Sequence, residues 1–196
     1  GGMLVTDHAD VAARAVAFTH AGRRAGRIWY EHFTPATNAR MTEFSAAVLL
    51  AQLARLPRQT ARRQANARIL DRGLASIPGL QPQGTDRRHG RRSFHFYAFR
   101  IDQEKLDITR EAFLRALSAE GVPGMGGWQS LDRNPLFTGK DGGAGVPSRG
   151  GPCPVSDQVT RDCVWITHTV LLAPASAMRA IVRAAAKVVE RRAELR

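Results

Sequence analysis

The chain has 196 residues, of which 43% are hydrophobic, so it is long enough to pack a core without disulfides or metals. No apolar run approaches the roughly 20 residues that cross a bilayer, which excludes a membrane-spanning helix. The N-terminus Gly1-Gly2-Met3 has no charged leader before an apolar stretch, so no signal peptide is expected. We expect a cytoplasmic protein, and position 1 is not methionine. The chain is therefore expected to begin after processing or partway through a longer protein.

The charge is strongly basic, because 29 Lys and Arg outnumber 17 Asp and Glu and give a net charge of +12. This charge makes nucleic-acid binding one hypothesis. However, only Lys105, Lys140 and Lys187 are lysines, and the arginines are scattered as pairs rather than gathered in one block. Cys153 and Cys163 lack the spacing of a zinc site, so two reduced cysteines and no metal are predicted.

The first half of the chain predicts two helices. Thr6 and Asp7 can start a helix that runs from Ala9 to His20. After an irregular aromatic stretch, Thr42 can cap a second helix that extends to about Ile77. Its segment 44–54 is apolar almost all round, which predicts burial in a core or in a subunit interface.

The continuation of the second helix has a different character. Pro57 cannot donate a backbone hydrogen bond and is expected to kink or split the helix. Beyond it, charged residues predict a solvated helix with a thin apolar seam of Ala61, Ala65 and Ile69. The later predicted elements are a loop over 81–92, a strand over 93–101, a helix from Thr109 to Gly121, a loop over 122–152, a strand over 164–166 and a helix over 175–194.

A search for catalytic groups in the sequence is mostly negative. Gly124, Gly126 and Gly127 lie in a loop without the strand and helix that a phosphate-binding loop needs. Ser93 and His95 are too close on one predicted strand to act as nucleophile and base. The histidines show no metal-ligand spacing, and no paired carboxylates stand out. The residues alone therefore predict an α/β protein of unspecified chemistry.

The stretch from Asn38 to Leu53 reads Asn-Ala-Arg-Met-Thr-Glu followed by an Ala-rich helix that ends in Gln-Leu. It resembles the DegT/DnrJ/EryC1/StrS family of sugar aminotransferases, which use pyridoxal 5'-phosphate (PLP). Five more segments resemble the family in the same order and span nearly the whole chain: 1–7, 20–32, 93–97, 128–137 and 164–172.

The resemblance implies the aspartate-aminotransferase-like α/β fold, PLP fold type I. Residues 1–55 would finish the large PLP-binding domain, including an interface helix, and residues 56–196 would form the small C-terminal α/β domain. The family's Schiff-base lysine would lie upstream of Gly1, since none of the three lysines has its context. We therefore expect no catalytic residue in this chain, which would be inactive alone. Its parent would be a homodimer with active sites shared across the interface.

The resemblance also implies roles for two residues near the start of the second helix. Asn38 would reach the phosphate of the partner subunit's PLP, because an amide nitrogen can donate to a phosphate oxygen. The alternative is that Asn38 only caps the helix. Arg40 would hold an anionic group of the substrate, or else form an ion pair with Glu43.

Five further residues are expected on the substrate side of the pocket: Tyr30, His32, His95, Trp128 and Gln129. Plain packing is the alternative for Tyr30, His32 and His95. Trp128 stands where the family usually has Tyr, and Ser130 where it has Pro, so the identity of the substrate stays open. The substrate would be a keto-sugar, nucleotide-sugar or cyclitol ketone, with an amino acid as the donor. A lysine-less relative that only binds or dimerises, and a basic nucleic-acid-binding protein, are the competing hypotheses.

Overall fold

The computed structural model describes residues 2–84, 88, 90–145 and 152–195. The chain divides into two compact units, Gly1–Leu56 and Pro57–Arg196. Their assignment as the end of a large domain and a small domain remains a prediction. The parts of the predicted loops at 85–87, 89 and 146–151 lie outside the described residues.

The first unit contains helix α1, Ala9–Thr19, as predicted to within one residue. The chain then reverses, so that His20 forms an antiparallel bridge with Asn38. Gly22 permits this reversal because its φ is +81°, and a Cβ there would overlap the carbonyl oxygen of Thr34. Residues 2–7 contain no strand, although they resemble a family strand in sequence.

Helix α2, Glu43–Ala75, is one continuous helix of 33 residues. It begins as predicted, because the Thr42 Oγ1 accepts a hydrogen bond from the Ser45 amide at 3.2 Å. Pro57 lies inside it, so the predicted split is wrong. A proline removes one backbone donor and crowds one turn, while the turns on either side keep their hydrogen bonds.

The apolar first part of α2 is exposed in this chain, so burial in the chain's own core is wrong. Phe44 is 88% exposed and Leu50 is 70% exposed. Other apolar side chains of this segment are also exposed: Val48, Leu49, Leu53 and Leu56. The remaining interpretation of the pattern is a contact with another polypeptide surface.

The second unit contains the rest of α2, whose buried side differs from the predicted seam. Ala61 and Ala65 are exposed and Ile69 is half-buried. The buried side comprises Thr60, Arg63, Asn66, Ala67, Leu70 and Leu74. The prediction failed because it assigned every polar residue to solvent, whereas three polar residues here face the core side.

An antiparallel sheet forms the centre of the second unit. Its strands are β1 (Leu80–Pro82), β2 (Phe96–Ile101), β3 (Met125–Gly126) and β4 (Cys163–Thr167), in the order β1-β2-β4-β3. β2 and β4 lie within or around the predicted strands. β1 and β3 fall where loops are predicted, because strands of three and two residues show no alternation in sequence.

The sheet buries one face against helices, as the alternation of apolar residues in β2 predicts. Tyr97, Phe99 and Ile101 of β2 are buried, as are Val164 and Ile166 of β4. They share a core with helix α4 (Arg110–Ala119) and helix α7 (Ala175–Glu190). Helix α4 is capped by the Thr109 hydroxyl and ends before Gly121, both as predicted.

Three helices were missed from the sequence: α3 (Gln103–Leu106), α5 (Pro135–Thr138) and α6 (Pro154–Asp162). Two of them have only four residues, too few for a helical period to be recognised. Lys105 consequently lies in a short helix and not in a loop. Within the described residues, no helix is long and apolar enough to cross a membrane.

Candidate functional site

Asn38 lies in the first unit, just before α2, with its side chain exposed. Its Oδ1 accepts a hydrogen bond from the Arg40 Nε at 3.0 Å. Thr42 caps α2 instead, so the capping alternative for Asn38 is wrong. Because Arg40 donates to the oxygen of the amide, the two Nδ2 protons remain as the donors that Asn38 can offer to a ligand.

Arg40 orients Asn38 and also lines an open cavity of about 1000 Å³ in the first unit. In the described part of the chain it forms no ion pair with Glu43, which removes that alternative. The other polar residues that line the cavity are Thr19, His20, Thr42 and Ser45. Asn38 is not among the residues that line this cavity. The guanidinium and hydroxyl donors that do line it suit the acceptor-only oxygens of a phosphate group.

Tyr30 and His32 lie together in the loop between α1 and α2. Their rings meet edge to face, with centroids 5.3 Å apart. The His32 Nδ1 lies 2.7 Å from the Ala21 carbonyl oxygen, so it acts as the donor and the Nε2 acts as an acceptor when the ring is neutral. Tyr30 is 75% exposed, so its hydroxyl is accessible to a ligand.

His95 and Trp128 lie in the second unit, on the sheet face opposite the core. Trp128 packs edge to face against Trp165 at 4.7 Å and against Phe96 at 5.7 Å. Phe96 and Trp165 stack at 5.2 Å, so three rings form one aromatic cluster. Trp128 is 66% exposed, which leaves part of this cluster open to solvent.

His95 is exposed and continues the aromatic cluster, so the expectation of a histidine buried in the core is not met. Its ring lies 4.3 Å from Phe96 and stacks on His168 at 6.1 Å. Gln129 is exposed as well, and its Nε2 donates to the Arg133 carbonyl at 3.4 Å. It makes no ring contact with the cluster.

Trp165 and His168 are the residues that the sequence analysis missed. The signal was present in the alternation of β4, because Trp165 precedes a buried residue and must face away from the core. The register then places it beside β2, where Ala98 is its partner. Pairing of strands that are distant in sequence could not be derived from alternation alone.

Asp162 anchors the segment that carries Trp165. Its Oδ1 accepts from the Arg161 Nε at 2.9 Å and from Gln103, and its Oδ2 pairs with Arg100 at 3.3 Å. Burial raises the pKa of the Asp162 carboxyl, but the hydrogen bonds from Arg161 and Gln103 outweigh burial and lower the pKa below its ordinary value. Asp162 therefore stays ionised and ties β2, α3 and β4 together.

No group of three or more His, Cys, Asp or Glu side chains within the described residues could hold a metal ion. The model of the DegT/DnrJ/EryC1/StrS aminotransferase family matches residues 1–184. The chain belongs to this family.

Curated relatives of the family have similar sequences. The chain is 34% identical to the 3-amino-5-hydroxybenzoate synthase of Amycolatopsis mediterranei, over 97% of the chain and 50% of that protein. It is 36% identical to a putative L-glutamine:3-amino-2,3-dideoxy-scyllo-inosose aminotransferase of Micromonospora echinospora, over 87% of the chain and 44% of that protein. The chain thus spans about half the length of the curated relatives it matches.

Solved structures agree with this assignment. The crystal structure of 3-amino-5-hydroxybenzoic acid synthase matches with a TM-score of 0.79 and 32% identity, covering 94% of this chain and 48% of that one. DesV of S. venezuelae, solved with a ketimine intermediate, matches with a TM-score of 0.76 and 25% identity, covering 95% and 46%. The predicted fold class, PLP fold type I, is therefore confirmed.

Proposed function

We propose that this chain forms part of a PLP-dependent aminotransferase that acts on a six-membered cyclic ketone. The observation that carries the proposal is the family match over residues 1–184. The relatives similar to this chain are named as synthases or aminotransferases of aminohydroxybenzoate and of inososes, which are ring compounds. A cyclitol-type ketone is therefore favoured over a nucleotide-sugar, and L-glutamine is the proposed amino donor.

The aromatic cluster supports a ring substrate. A ring with an apolar face can pack against Trp128, whose indole is 66% exposed and is held by Trp165 and Phe96. His95 and His168 lie at the edge of the cluster, where they can donate to or accept from hydroxyl groups. Tyr30, His32, Arg40 and Gln129 remain proposed substrate contacts.

Asn38 is the proposed cofactor-binding residue, through its amide, whose oxygen accepts a hydrogen bond from the proposed substrate contact Arg40. When bound, PLP supplies the electron sink through which an amino group is transferred. The lysine that would bind the cofactor covalently is proposed to lie in a part of the protein outside this chain. The residues of this chain would bind the phosphate and position the ketone.

Homodimer formation and a cytoplasmic location complete the proposal. The exposed apolar part of α2 supports a dimer, because such a surface is normally covered by another chain. Cys163 is a buried thiol outside any disulfide, which is typical of a reducing compartment.

Asn38→Ala provides the test of cofactor binding in the full-length protein. A hydrogen bond to a charged group contributes about 1.5–3 kcal/mol, so the dissociation constant of PLP should rise roughly 10- to 100-fold. The measurement is a fluorescence titration with PLP. The neighbouring variant Thr37→Ala is the control, since only the backbone carbonyl of Thr37 supports the loop.

The outcome separates the competing hypotheses. An unchanged PLP affinity in Asn38→Ala would remove Asn38 from the cofactor site. A full-length protein that binds no PLP, and shows no visible cofactor absorbance, would be a lysine-less relative and not an aminotransferase.

Trp128→Ala provides the test of substrate binding. Loss of an aromatic contact of about 0.5–1.5 kcal/mol should raise the KM for the cyclic ketone roughly 2- to 10-fold, while the KM for L-glutamine changes less. Trp128→Phe keeps a flat ring and should recover most of the affinity. Leu131→Ala, an exposed residue of the same loop, is the control. Equal KM values for the cyclic ketone in Trp128→Ala, Trp128→Phe and Leu131→Ala would contradict a substrate role for Trp128.

A further inference from the structure

Arg63 is a buried cation for which the described residues provide no anionic partner. It lies on the core side of α2 with only 8% of its surface exposed. Its single side-chain hydrogen bond is a long one, from an Nη to the Gln59 Oε1 at 3.4 Å. Its Nε is buried and has no hydrogen-bond partner. Within the described chain, Arg63 forms no ion pair.

Burial of the Arg63 charge without an ion-pair partner among the described residues is energetically unfavourable. An arginine side chain cannot lose its proton at any ordinary pH, so it cannot become neutral when buried as a lysine can. An unpaired buried charge costs several kcal/mol, and for this reason buried arginines are almost always paired with a carboxylate or phosphate. The Nε proton and the adjacent Nη2 form the edge of the guanidinium that binds such an oxyanion in a bidentate manner, and on this edge the described residues provide only the long hydrogen bond to Gln59.

The hydrogen bonds of neighbouring residues show where Arg63 lies. Gln64 donates to the Arg92 carbonyl, in the segment that precedes β2. Asn66 donates to the carbonyls of Leu171 and Ala173, in the segment that follows β4. This turn of α2 therefore spans the end of the sheet at which β2 begins and β4 ends.

The same end of the sheet carries further positive charge. Arg91 donates to the Pro57 carbonyl and Arg92 to the Gln83 side-chain oxygen, both of which are neutral acceptors. The nearest acid along α2 is Asp71, two turns away, and it accepts the hydroxyl of Tyr97. An open cavity of about 570 Å³ lies beside Arg91, Arg92 and Ser93, and Arg63 is not among the residues that line it.

We propose that Arg63 anchors a binding site for a small oxyanion, a carboxylate or a phosphate, at this end of the sheet. The Arg63 guanidinium donates to the anion, and the positive charge of Arg91 and Arg92 attracts it. This site goes beyond the aminotransferase proposal and does not depend on it, since it rests only on the burial, hydrogen bonds and charge of the second unit.

The direct test is a titration of the full-length protein with inorganic phosphate and, separately, with acetate, followed by NMR of the arginine Nε–H groups. The Arg63 resonance, assigned by its loss in Arg63→Lys, should shift and saturate with one of the two anions. Saturation with acetate alone assigns the site to carboxylates, and saturation with phosphate alone assigns it to phosphates. An Arg63 resonance that moves no more than those of exposed arginines overturns the proposal.

A second measurement uses stability. Phosphate or acetate should raise the Tm of the wild-type protein by a few degrees relative to chloride at equal ionic strength, and the rise should saturate. Arg63→Met removes the charge but keeps an apolar side chain of similar length, so it should fold and lose this anion-dependent rise. Arg62→Gln, on the exposed side of the same turn, should keep it. Equal rises in wild type and Arg63→Met would contradict the site.

Discussion

At the scale of single residues, Tyr97 illustrates how a polar group is held within the core. Its ring is 1% exposed, and its hydroxyl donates to the Asp71 Oδ1 at 2.8 Å. Burial first, and then the hydrogen bond to Asp71, raise the pKa of the Tyr97 hydroxyl far above its ordinary value. The folded protein therefore holds this proton more tightly than the unfolded chain does.

Tyr97→Phe should lower the free energy of unfolding by about 1 kcal/mol near neutral pH, because one hydrogen bond is lost. The stability that Tyr97 contributes is complete below the ordinary tyrosine pKa of about 10 and is lost as the pH rises above it. The difference between wild type and Tyr97→Phe should therefore shrink above pH ~10. Denaturant unfolding at a series of pH values measures this difference. A difference that grows in alkali would contradict the role of the hydroxyl.

At the scale of elements, α6 and β4 meet at Asp162. This residue ends α6 and accepts hydrogen bonds from Arg100 of β2 and Gln103 of α3. Helix α6 was not predicted, although Pro154 at its first turn favours a helix start. Because a long Gly- and Pro-rich loop was predicted over 122–152, the start of a helix directly after it was not recognised.

Asp162→Asn should lower the free energy of unfolding by about 2 kcal/mol at neutral pH, since charge-assisted hydrogen bonds become neutral ones. The lowered pKa of Asp162 means that its stabilisation is present above the ordinary value of about 3.9 and is lost as the pH falls below it. Unfolding curves of wild type and variant should therefore converge in acid.

Asp157→Asn is the matched control for this change. Asp157 lies on the same helix and pairs with Arg133, whose side chain is 61% exposed, so this variant should stay close to wild type. Equal losses in both variants would mean that the buried position of Asp162 confers no special stability.

At the scale of the whole molecule, the exposed apolar part of α2 is the surface that supports the proposed homodimer. Phe44 and Leu50 of this segment are largely exposed. Monomeric proteins rarely leave contiguous apolar surface of this kind uncovered.

Phe44→Glu should disrupt the proposed homodimer, because a carboxylate would be desolvated in an apolar contact. Size-exclusion chromatography with light scattering should show a shift from dimer to monomer as the protein is diluted. Gln52→Glu introduces the same charge on the same exposed segment and is the control for charge alone. A dimer that withstands Phe44→Glu would contradict an interface at this end of the helix.

The patterns that were predicted correctly are local ones. Helix α1, the caps at Thr42 and Thr109, the alternation in β2 and the apolar stripe of α7 depend on residues within a few positions of one another. The buried side of α2 was predicted wrongly, because a polar residue such as Asn66 faces inward only where a partner from a distant segment, here the Leu171 carbonyl, accepts its hydrogen bond.

The candidate site shows the same difference between what local sequence predicts and what depends on contacts between distant segments. Asn38, Arg40 and Trp128 were selected by resemblance to the family, and the structure added what they contact. Trp165 and His168 could not be selected, because they join the site only through the pairing of β2 with β4, in which the partners Ala98 and Trp165 are 67 residues apart in sequence.

The sequence by itself determined the family, through the resemblance of its motifs, and the order of the main helices and strands, which follows from local periodicity. Only the tertiary structure decided which polar groups are buried, which aromatic rings meet and which apolar surface remains uncovered. Those properties depend on contacts between residues that are far apart in the chain, and the energy of such contacts is not encoded in any local pattern.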